Sequence, residues 1–240
     1  MGRTQAAAYA AALGLALAAC APGQWDQLTR ELGAGFGRAP LAEEQIVAGL
    51  KEALRVGTGH AVELTSQAGG YFGNPRIRIP MPPRLKRLAD TLKAMGLTRQ
   101  VDEFVLSMNR AAEQAAPAAT AIFLDAVTAM TFEVARQILE GQEDEATRYF
   151  KAQTSARLTA LFRPIVHGSM EQVGVTRLYQ DLTTRYTALP LASRPDLDLD
   201  QYVTMKSLDG LFLLVADEER RIRTDPAARV TAILQEVFAR

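Results

Sequence analysis

The sequence predicts a mainly all-α protein: a multi-helix bundle of about eight to ten helices with one small β-hairpin near residues 70–80. Of the 240 residues, 48% are apolar and 22% are charged, which is typical of a globular chain with a sizeable core. From Pro40 onward, apolar residues recur with a period close to 3.6, the spacing of amphipathic helices. Strict two-residue alternation interrupts this pattern only at residues 76–79.

Residues 1–19 have the layout of a bacterial signal peptide. One basic side chain, Arg3, precedes an uncharged Ala- and Leu-rich run of 14 residues that starts at Ala6. A permanent membrane-spanning helix needs about 20 apolar residues, so this run is too short to be one. It ends in Leu-Ala-Ala-Cys20, which resembles a lipobox and implies that Cys20 is acylated and becomes the mature N-terminus. A plain secretory signal or a chance Ala-rich helix remains the alternative.

Cys20 is the only cysteine, so the chain has no intramolecular disulfide, as expected of a thiol consumed by lipid. The membrane is therefore the first expected partner, through acylated Cys20. By resemblance to sorted lipoproteins, Ala21 in place of Asp favours the outer membrane, facing the periplasm. Residues 20–38 are rich in Gly and Ala and are interpreted as a flexible tether, and residues 39–240 as a single helical domain with a hairpin insertion.

Breakers and caps separate the expected helices. Pro82 and Pro83 precede one helix that stops at Gly96, and Pro117 bends or restarts the next. Thr131 is expected to cap a short helix that ends at Gly141. The apolar stripes of this half are Ile46, Leu50 and Leu54; Leu85, Leu88, Leu92 and Met95; Val101, Phe104, Val105, Met108, Ala112 and Ala115; and Ile122, Ala126, Val127 and Met130.

In the second half, Asp144 is expected to cap a helix that runs to Pro164, and a further stripe leads to Gly174. A helix carrying Leu178, Leu182 and Tyr186 precedes a proline-rich connection at residues 190–195. A long helix is expected from about Asp200. The dipeptide Asp-Pro at 225–226 is expected to open the last helix.

The hairpin is predicted from residues 69–80. Gly, Asn and Pro cluster at 69–75 as in a turn, and Arg76-Ile77-Arg78-Ile79 alternates as a short strand does. Prolines at 80, 82 and 83 would confine such a strand to the edge of a sheet.

Several strings together are similar to a bacterial family, the domain-of-unknown-function family numbered 4197. They are AGLKEAL at 48–54, GNPRIRIPMP at 73–82, SMNRAAEQAAP at 107–117, QVGVTR at 172–177, LDGLF at 208–212 and IRTDPAAR at 222–229. The resemblance covers nearly all of the mature chain. It implies an exported, mainly helical protein of Gram-negative bacteria and brings no established activity or catalytic residues.

Catalytic residue types are scarce. With only His60, His167 and a single cysteine, the chain offers neither a histidine-rich zinc site nor a Cys–His nucleophile, and we expect no cofactor. The 27 basic and 27 acidic residues balance, which leaves no global field to attract nucleic acid.

Polar side chains on one predicted helix form a candidate ligand-binding group. Asn109 and Glu113 lie one turn apart, as do Arg110 and Gln114, among small alanines that let neighbouring helices approach closely. Asp209 interrupts an apolar turn beside Gly210 and is added as a fifth candidate. The sequence leaves open whether these groups line a pocket for a polar or anionic ligand or form a structural network.

The stretch between Glu63 and Asp90 has five basic residues and no acid. Next to two aromatic residues in a Gly-rich loop, this composition suits contact with lipid head groups or an envelope partner. A solvated helix face with two core aromatics is the alternative. The candidates are Tyr71, Phe72, Arg76, Arg78, Arg84, Lys86 and Arg87.

The sequence thus favours a non-enzymatic outer-membrane lipoprotein that binds a ligand or maintains the envelope, with a polar groove for an anionic or lipid-like ligand, and it leaves enzymatic activity open. One alternative is a carboxylate-dependent periplasmic hydrolase that uses Glu113 or Asp209 as general base. The other is a purely structural protein that contacts an envelope partner.

Overall fold

The computed structural model describes residues 43–172, 174–193 and 195–238. The predicted signal peptide (residues 1–19) and the predicted tether with Cys20 (residues 20–38) fall outside the described residues. The helices are α1 Glu43–Ser66, α2 Lys86–Ala94, α3 Thr98–Ala115, α4 Ala119–Thr128, α5 Phe132–Glu140, α6 Glu145–Gln172, α7 Val175–Thr187, α8 Leu199–Thr224 and α9 Ala232–Phe238. Short 3₁₀ turns lie at Pro83–Leu85, Ala116–Ala118 and Pro226–Ala228. The predicted mainly all-α fold is confirmed.

Four long helices, α1, α3, α6 and α8, form the centre of the bundle: α6 and α1 pack on α8, and α3 packs on α6. Helices α4, α5 and α9 pack against α1, while α2 and α7 pack against α3 and against each other. Within the described ranges, no single helix is both long enough and apolar enough to cross a bilayer. One pair of helical segments, Thr98–Thr128 and Phe132–Glu140, meets both criteria together, but the two segments are bent by 104° relative to each other.

The apolar stripes meet in one main core. Phe123 lies edge-on against Phe150 and Phe212, with ring centroids 5.5 and 6.0 Å apart. Edge-to-face contacts of this kind stabilise a core beyond the area they bury. Small side chains let α3 and its continuation approach their neighbours closely, and five alanines there are fully buried: Ala111, Ala112, Ala115, Ala116 and Ala119.

Most helix boundaries lie at the glycine, proline and capping residues from which they were predicted. Gly96 and Gly174 adopt φ values of 85° and 81°, a region that glycine enters without the steric cost other residues meet. The Thr131 hydroxyl accepts a hydrogen bond from Val134 N at 3.4 Å and caps α5, which ends at Gly141. Proline 117 lies in the 3₁₀ turn that separates α3 from α4.

Two helix predictions were wrong. Pro164 does not end its helix, because α6 continues through it to Gln172. The carbonyl that the proline leaves unpaired belongs to Ala160, which is exposed, so water can satisfy it. Asp-Pro at 225–226 opens a 3₁₀ turn capped by Asp225 on Ala227 N at 2.9 Å, and α9 begins later, at Ala232.

The predicted β-hairpin was also wrong. Residues 67–73 and 75–77 form a bend and turns, residues 78–82 have no regular secondary structure, and no strand occurs in the described part of the chain. The alternation nevertheless has a structural counterpart, since Ile77 and Ile79 are buried and Arg76 and Arg78 are exposed. The hydrogen bonds that a second strand would supply to this segment come from a side chain of α3, Asn109.

Gly210 on α8 provides the space in which this segment packs. A Cβ atom at Gly210 would lie 2.8 Å from Tyr71 Cε1 and 3.0 Å from Ile77 Cβ. We expect Gly210→Ala to lower the free energy of unfolding by about 1–2 kcal/mol, because overpacking exceeds the helix-propensity gain of alanine. Urea unfolding measures this change.

Gly168→Ala is the matched control, since Gly168 is also helical but no atom lies within 4 Å of its virtual Cβ. Alanine there should raise the free energy of unfolding by about 0.5–1 kcal/mol. Stabilisation by both substitutions would contradict the packing described for Gly210.

Candidate functional site

Asn109 takes the place of a neighbouring β-strand. Its carboxamide is fully buried, accepts a hydrogen bond from Ile79 N at 2.8 Å and donates one to Ile79 O at 2.9 Å. The same Nδ2 also donates to Val105 O, one turn earlier on α3, at 2.8 Å. Both backbone groups of the buried Ile79 are thereby satisfied without a sheet, and the 78–82 segment is held against α3.

Glu113, one turn further along α3, holds the preceding loop. Its side chain is 4% exposed, and Oε1 accepts hydrogen bonds from the backbone N–H groups of Tyr71 and Phe72, both at 3.2 Å. Oε2 accepts from Arg110 Nη1 at 2.7 Å. A buried carboxylate is tolerated only when its oxygens are paired in this way. We call Asn109 and Glu113 together the α3 clasp.

Tyr71 is inside the protein and is not the exposed aromatic tip that the sequence suggested. The side chain is fully buried, and its hydroxyl donates to Ser207 O on α8 at 2.6 Å. Burial, reinforced by the nearby Glu113 carboxylate, raises the pKa of the Tyr71 phenol, so it stays a neutral donor. Tyr71 therefore joins the loop to α8 and is not available to a membrane.

Of the other polar candidates, Arg110 bonds to the α3 clasp, whereas Gln114 and Asp209 do not. Arg110 is partly exposed and pairs with Glu113, while Gln114 faces solvent. Asp209 is exposed on α8 and pairs with Lys206 at 3.3 Å. None of the five ligand-binding candidates lines any of the cavities described below.

The basic candidates divide into two groups. Arg76 forms a two-pronged ion pair with Asp217 on α8, and this carboxylate raises the pKa of Arg76. Arg78 lies over the half-buried Phe72 ring, with its guanidinium carbon 4.1 Å from the ring centroid. Arg84 donates to Asp196 O at 2.8 Å. These three side chains hold the 71–84 segment in place, whereas Lys86 and Arg87 are exposed and have no partner among the described residues.

A groove of about 370 Å³ opens between the 80–83 segment, α2 and α3. We call it the α2–α3 groove. The α3 clasp forms part of its support, because Asn109 fixes the backbone immediately before Pro80. Its apolar lining comprises Pro80, Met81, Pro83, Ala89, Val101 and Val105, and its charged lining comprises Lys86, Asp90 and Lys93.

Among the described residues, the charges of the α2–α3 groove leave one cation, Lys86, and one carboxylate, Asp90, without an ion pair. Lys93 Nζ binds Asp102 at 2.8 Å, so its charge is already matched. Lys86 carries no such partner within the described chain, and Asp90 stands exposed one turn further along α2. An apolar floor with an unpaired ammonium at its edge fits a molecule that has an apolar body and an anionic head.

Two other cavities lie between α1 and α8. One is a partly open space of only about 20 Å³, lined mainly by apolar side chains and by Glu219 and Arg223. The other is an open groove of about 480 Å³, in which Glu218 accepts from His60 Nδ1 at 2.9 Å and from Arg221 at 2.8 Å. The first is too small for a ligand, and in the second these charges are already paired with one another. Among the described residues, no group of three or more His, Cys, Asp or Glu side chains is placed to hold a metal ion.

Sequence reasoning missed the role of Glu219. Its carboxylate accepts hydrogen bonds from Ala146 N at 3.0 Å and Thr147 N at 2.8 Å, and so caps α6 from a distance of more than 70 residues in sequence. The prediction assigned this cap to Asp144. Glu219 also pairs with Arg223, one turn further along α8, at 2.9 Å, and Arg223 donates to Ile138 O near the end of α5.

Removing the Asn109 carboxamide should free the backbone at Ile79, next to Pro80 in the lining of the α2–α3 groove. Asn109→Ala leaves the N–H and C=O of Ile79 without partners in the core, and we expect a loss of about 2–4 kcal/mol in the free energy of unfolding. Hydrogen exchange should show the Ile79 amide losing its protection. Gln114→Ala on the same helix is the control and should change stability by less than about 0.5 kcal/mol. Undiminished protection of Ile79 in the Asn109 variant would refute the strand-like role of this side chain.

The comparisons with known proteins give one match. Residues 40–239 match the family described as "Protein of unknown function (DUF4197)". No curated protein and no solved structure matches the chain. The match spans all the helices described above and agrees with the resemblance carried by the sequence strings. The chain belongs to the DUF4197 family.

Proposed function

We propose that this protein is a lipoprotein of the bacterial envelope, acylated at Cys20 and facing the periplasm from the outer membrane, that binds an anionic amphiphile. The observation that carries the binding proposal is the α2–α3 groove with its unpaired Lys86. The anchor is supported by the signal-peptide layout and by Leu-Ala-Ala-Cys20, the only cysteine of the chain.

The dimensions of the α2–α3 groove suit a medium-length hydrocarbon chain. Its volume of about 370 Å³ is far above the roughly 10–15 Å³ that a single water molecule needs. Met81, Ala89 and Val105 offer the chain an apolar surface, and burying each methylene contributes about 0.8 kcal/mol. The Lys86 ammonium attracts a carboxylate or phosphate head at the edge of the groove.

A carboxylate-dependent hydrolase is a weaker proposal for this fold. A general base needs a free lone pair within reach of a bound substrate. Both oxygens of Glu113 already accept hydrogen bonds from the protein, and neither Glu113 nor Asp209 lines the α2–α3 groove.

Binding is tested on a chain that begins at Ala21, which retains every described residue. Dodecanoate is titrated below its micelle concentration, with dodecanol and dodecyltrimethylammonium as probes of the same chain length. We expect dodecanoate to bind about 2- to 5-fold more tightly than dodecanol, the range of one exposed ion pair, and the cation to bind most weakly. Lys86→Gln should abolish the preference for the anion.

Lys151→Gln is the matched control, because Lys151 is an exposed lysine on α6 that lines none of the cavities. It should leave the preference unchanged. Equal affinity for the three probes, or the same loss of preference in both variants, would overturn the assignment of the groove. The anchor is tested separately: incorporation of labelled palmitate in a Gram-negative host should disappear with Cys20→Ser.

A further inference from the structure

We propose that the turn at residues 189–192 inserts Leu191 into the surface of a phospholipid bilayer. The proposal rests on the proposed function only for the anchor at Cys20 and does not involve the α2–α3 groove. Its evidence lies in the connection between α7 and α8, where an unfavourable backbone conformation coincides with a fully exposed apolar side chain.

The backbone at Leu191 is one that leucine rarely adopts. Ala192 N donates to Leu189 O at 3.3 Å, which closes a four-residue turn with Pro190 second and Leu191 third. Leu191 has a φ of 63°, and it is the only non-glycine residue in the described chain with a positive φ. A Pro-X turn with positive φ at its third position normally carries Gly or Asn there, because neither meets the steric cost that a larger side chain does.

No packing of the Leu191 side chain against the described part of the protein compensates for this strain. The side chain is 106% exposed, more than any other large apolar residue of the described chain. Isolated exposed leucines are common on protein surfaces and need no explanation by themselves. An exposed leucine at a position where glycine would be easier is different, since strain at such a place points to a function outside the fold.

The surroundings of the turn suit a lipid surface. The turn sequence Ala188-Leu189-Pro190-Leu191-Ala192 is uncharged. Arg84 donates to the backbone O of Asp196, five residues beyond Leu191. Arg87 extends from α2, which packs beside α7, and has no partner among the described residues. Basic side chains contribute attraction to anionic head groups, which the exposed Asp196 carboxylate opposes, and Asp181 is already paired with Arg185.

A bilayer fits this tip better than a protein partner does. A specific protein interface buries about 800 Å² on each side, far more than a single turn presents. A fluid bilayer requires no complementary shape. An anchor at Cys20 also keeps the domain near the membrane, because only 22 residues separate Cys20 from the start of α1. At the high local concentration that such a tether creates, a weak second contact is populated.

The test uses the single cysteine as a chemical anchor. A chain starting at Cys20, with Trp25→Phe and Leu191→Trp, carries one tryptophan and is coupled through Cys20 to a maleimide lipid. The vesicles contain phosphatidylethanolamine and phosphatidylglycerol, with about 25% anionic lipid. We expect the emission of the introduced tryptophan to shift to the blue and to be quenched by lipids brominated near the head group. Leu124→Trp in place of Leu191→Trp is the control, being an exposed leucine on α4, and should keep the emission of a solvated indole.

Leu191→Gly separates binding from folding. When neither chain is coupled through Cys20, the Leu191→Gly variant should partition to the same vesicles roughly 10- to 100-fold more weakly than the chain that retains Leu191. This is the factor expected from losing one buried leucine. Its unfolding midpoint should stay the same or rise, because glycine accepts the positive φ. A solvent-like emission from the Leu191→Trp chain on anchored vesicles overturns the proposal. Crosslinks from a benzophenone at position 191 to an envelope protein, without lipid quenching, would also overturn it and assign the turn to a protein partner. Neither result depends on probe binding in the α2–α3 groove.

Discussion

Glu113→Ala should destabilise the protein by about 3–5 kcal/mol, a large share of the total stability of a typical domain. The substitution leaves the buried N–H of Tyr71 and the partly buried N–H of Phe72 without an acceptor and removes the partner of Arg110. Arg110 is partly exposed and can turn to water, so the expected cost comes mainly from the two N–H groups. Urea unfolding followed by circular dichroism measures it.

Glu113→Gln distinguishes the hydrogen bonds from the charge. Both backbone N–H groups bind the same oxygen, Oε1, which a glutamine retains. We therefore expect a loss of only about 1 kcal/mol, from the weaker acceptor and the missing ion pair. If glutamine were as damaging as alanine, the clasp would depend on the ion pair with Arg110 and not on the backbone contacts.

Glu219→Ala should produce an effect of similar size, about 3–5 kcal/mol, because it uncaps α6 and leaves Arg223 without its counter-charge. Both side chains are largely buried, at 5% and 16% exposure, so solvent cannot replace the lost contacts. Thermal unfolding at constant pH, combined with hydrogen exchange at the amides of Ala146 and Thr147, measures the global and the local effect.

A double-mutant cycle with Arg223→Ala isolates the pair. The double variant should lose less stability than the sum of the two single variants, since each single change strands a buried partner. Additive losses would show that Glu219 acts through the cap of α6 alone. If the amides of Ala146 and Thr147 stay protected from exchange in the Glu219→Ala variant while amides at the start of other helices exchange rapidly, Glu219 does not cap α6.

Local rules predicted much of the helical framework. The stops at Gly96, Gly141 and Gly174 depend on the residue itself and its immediate neighbours, so the sequence is sufficient to place them. Pro164 shows the limit of such rules. Whether a helix tolerates a proline depends on whether the freed carbonyl reaches water, and that depends on which face of α6 the rest of the protein covers.

The candidate site was predictable only in part. The sequence selected Asn109 and Glu113 as polar groups drawn between helices, but their partners, the backbones of Ile79 and of Tyr71 and Phe72, lie 30 to 42 residues away. The alternation of arginine and isoleucine at residues 76–79 is equally compatible with a strand and with an irregular segment whose backbone is hydrogen-bonded by one side chain. The α2–α3 groove and the cap by Glu219 arise from long-range packing, which a single sequence does not encode in any local pattern.

The most direct test of the central claim is to identify what the α2–α3 groove retains in the cell. The chain beginning at Ala21 is exported without its lipid anchor in a Gram-negative host, purified without detergent, and analysed by native mass spectrometry with solvent extraction of the bound material. Val105→Trp, which fills the apolar floor of the groove, is analysed in parallel. We predict a stoichiometric anionic amphiphile on the wild-type chain and its loss from the filled variant. A bare mass for both chains, or an adduct that survives the Val105 substitution, would contradict the proposed function.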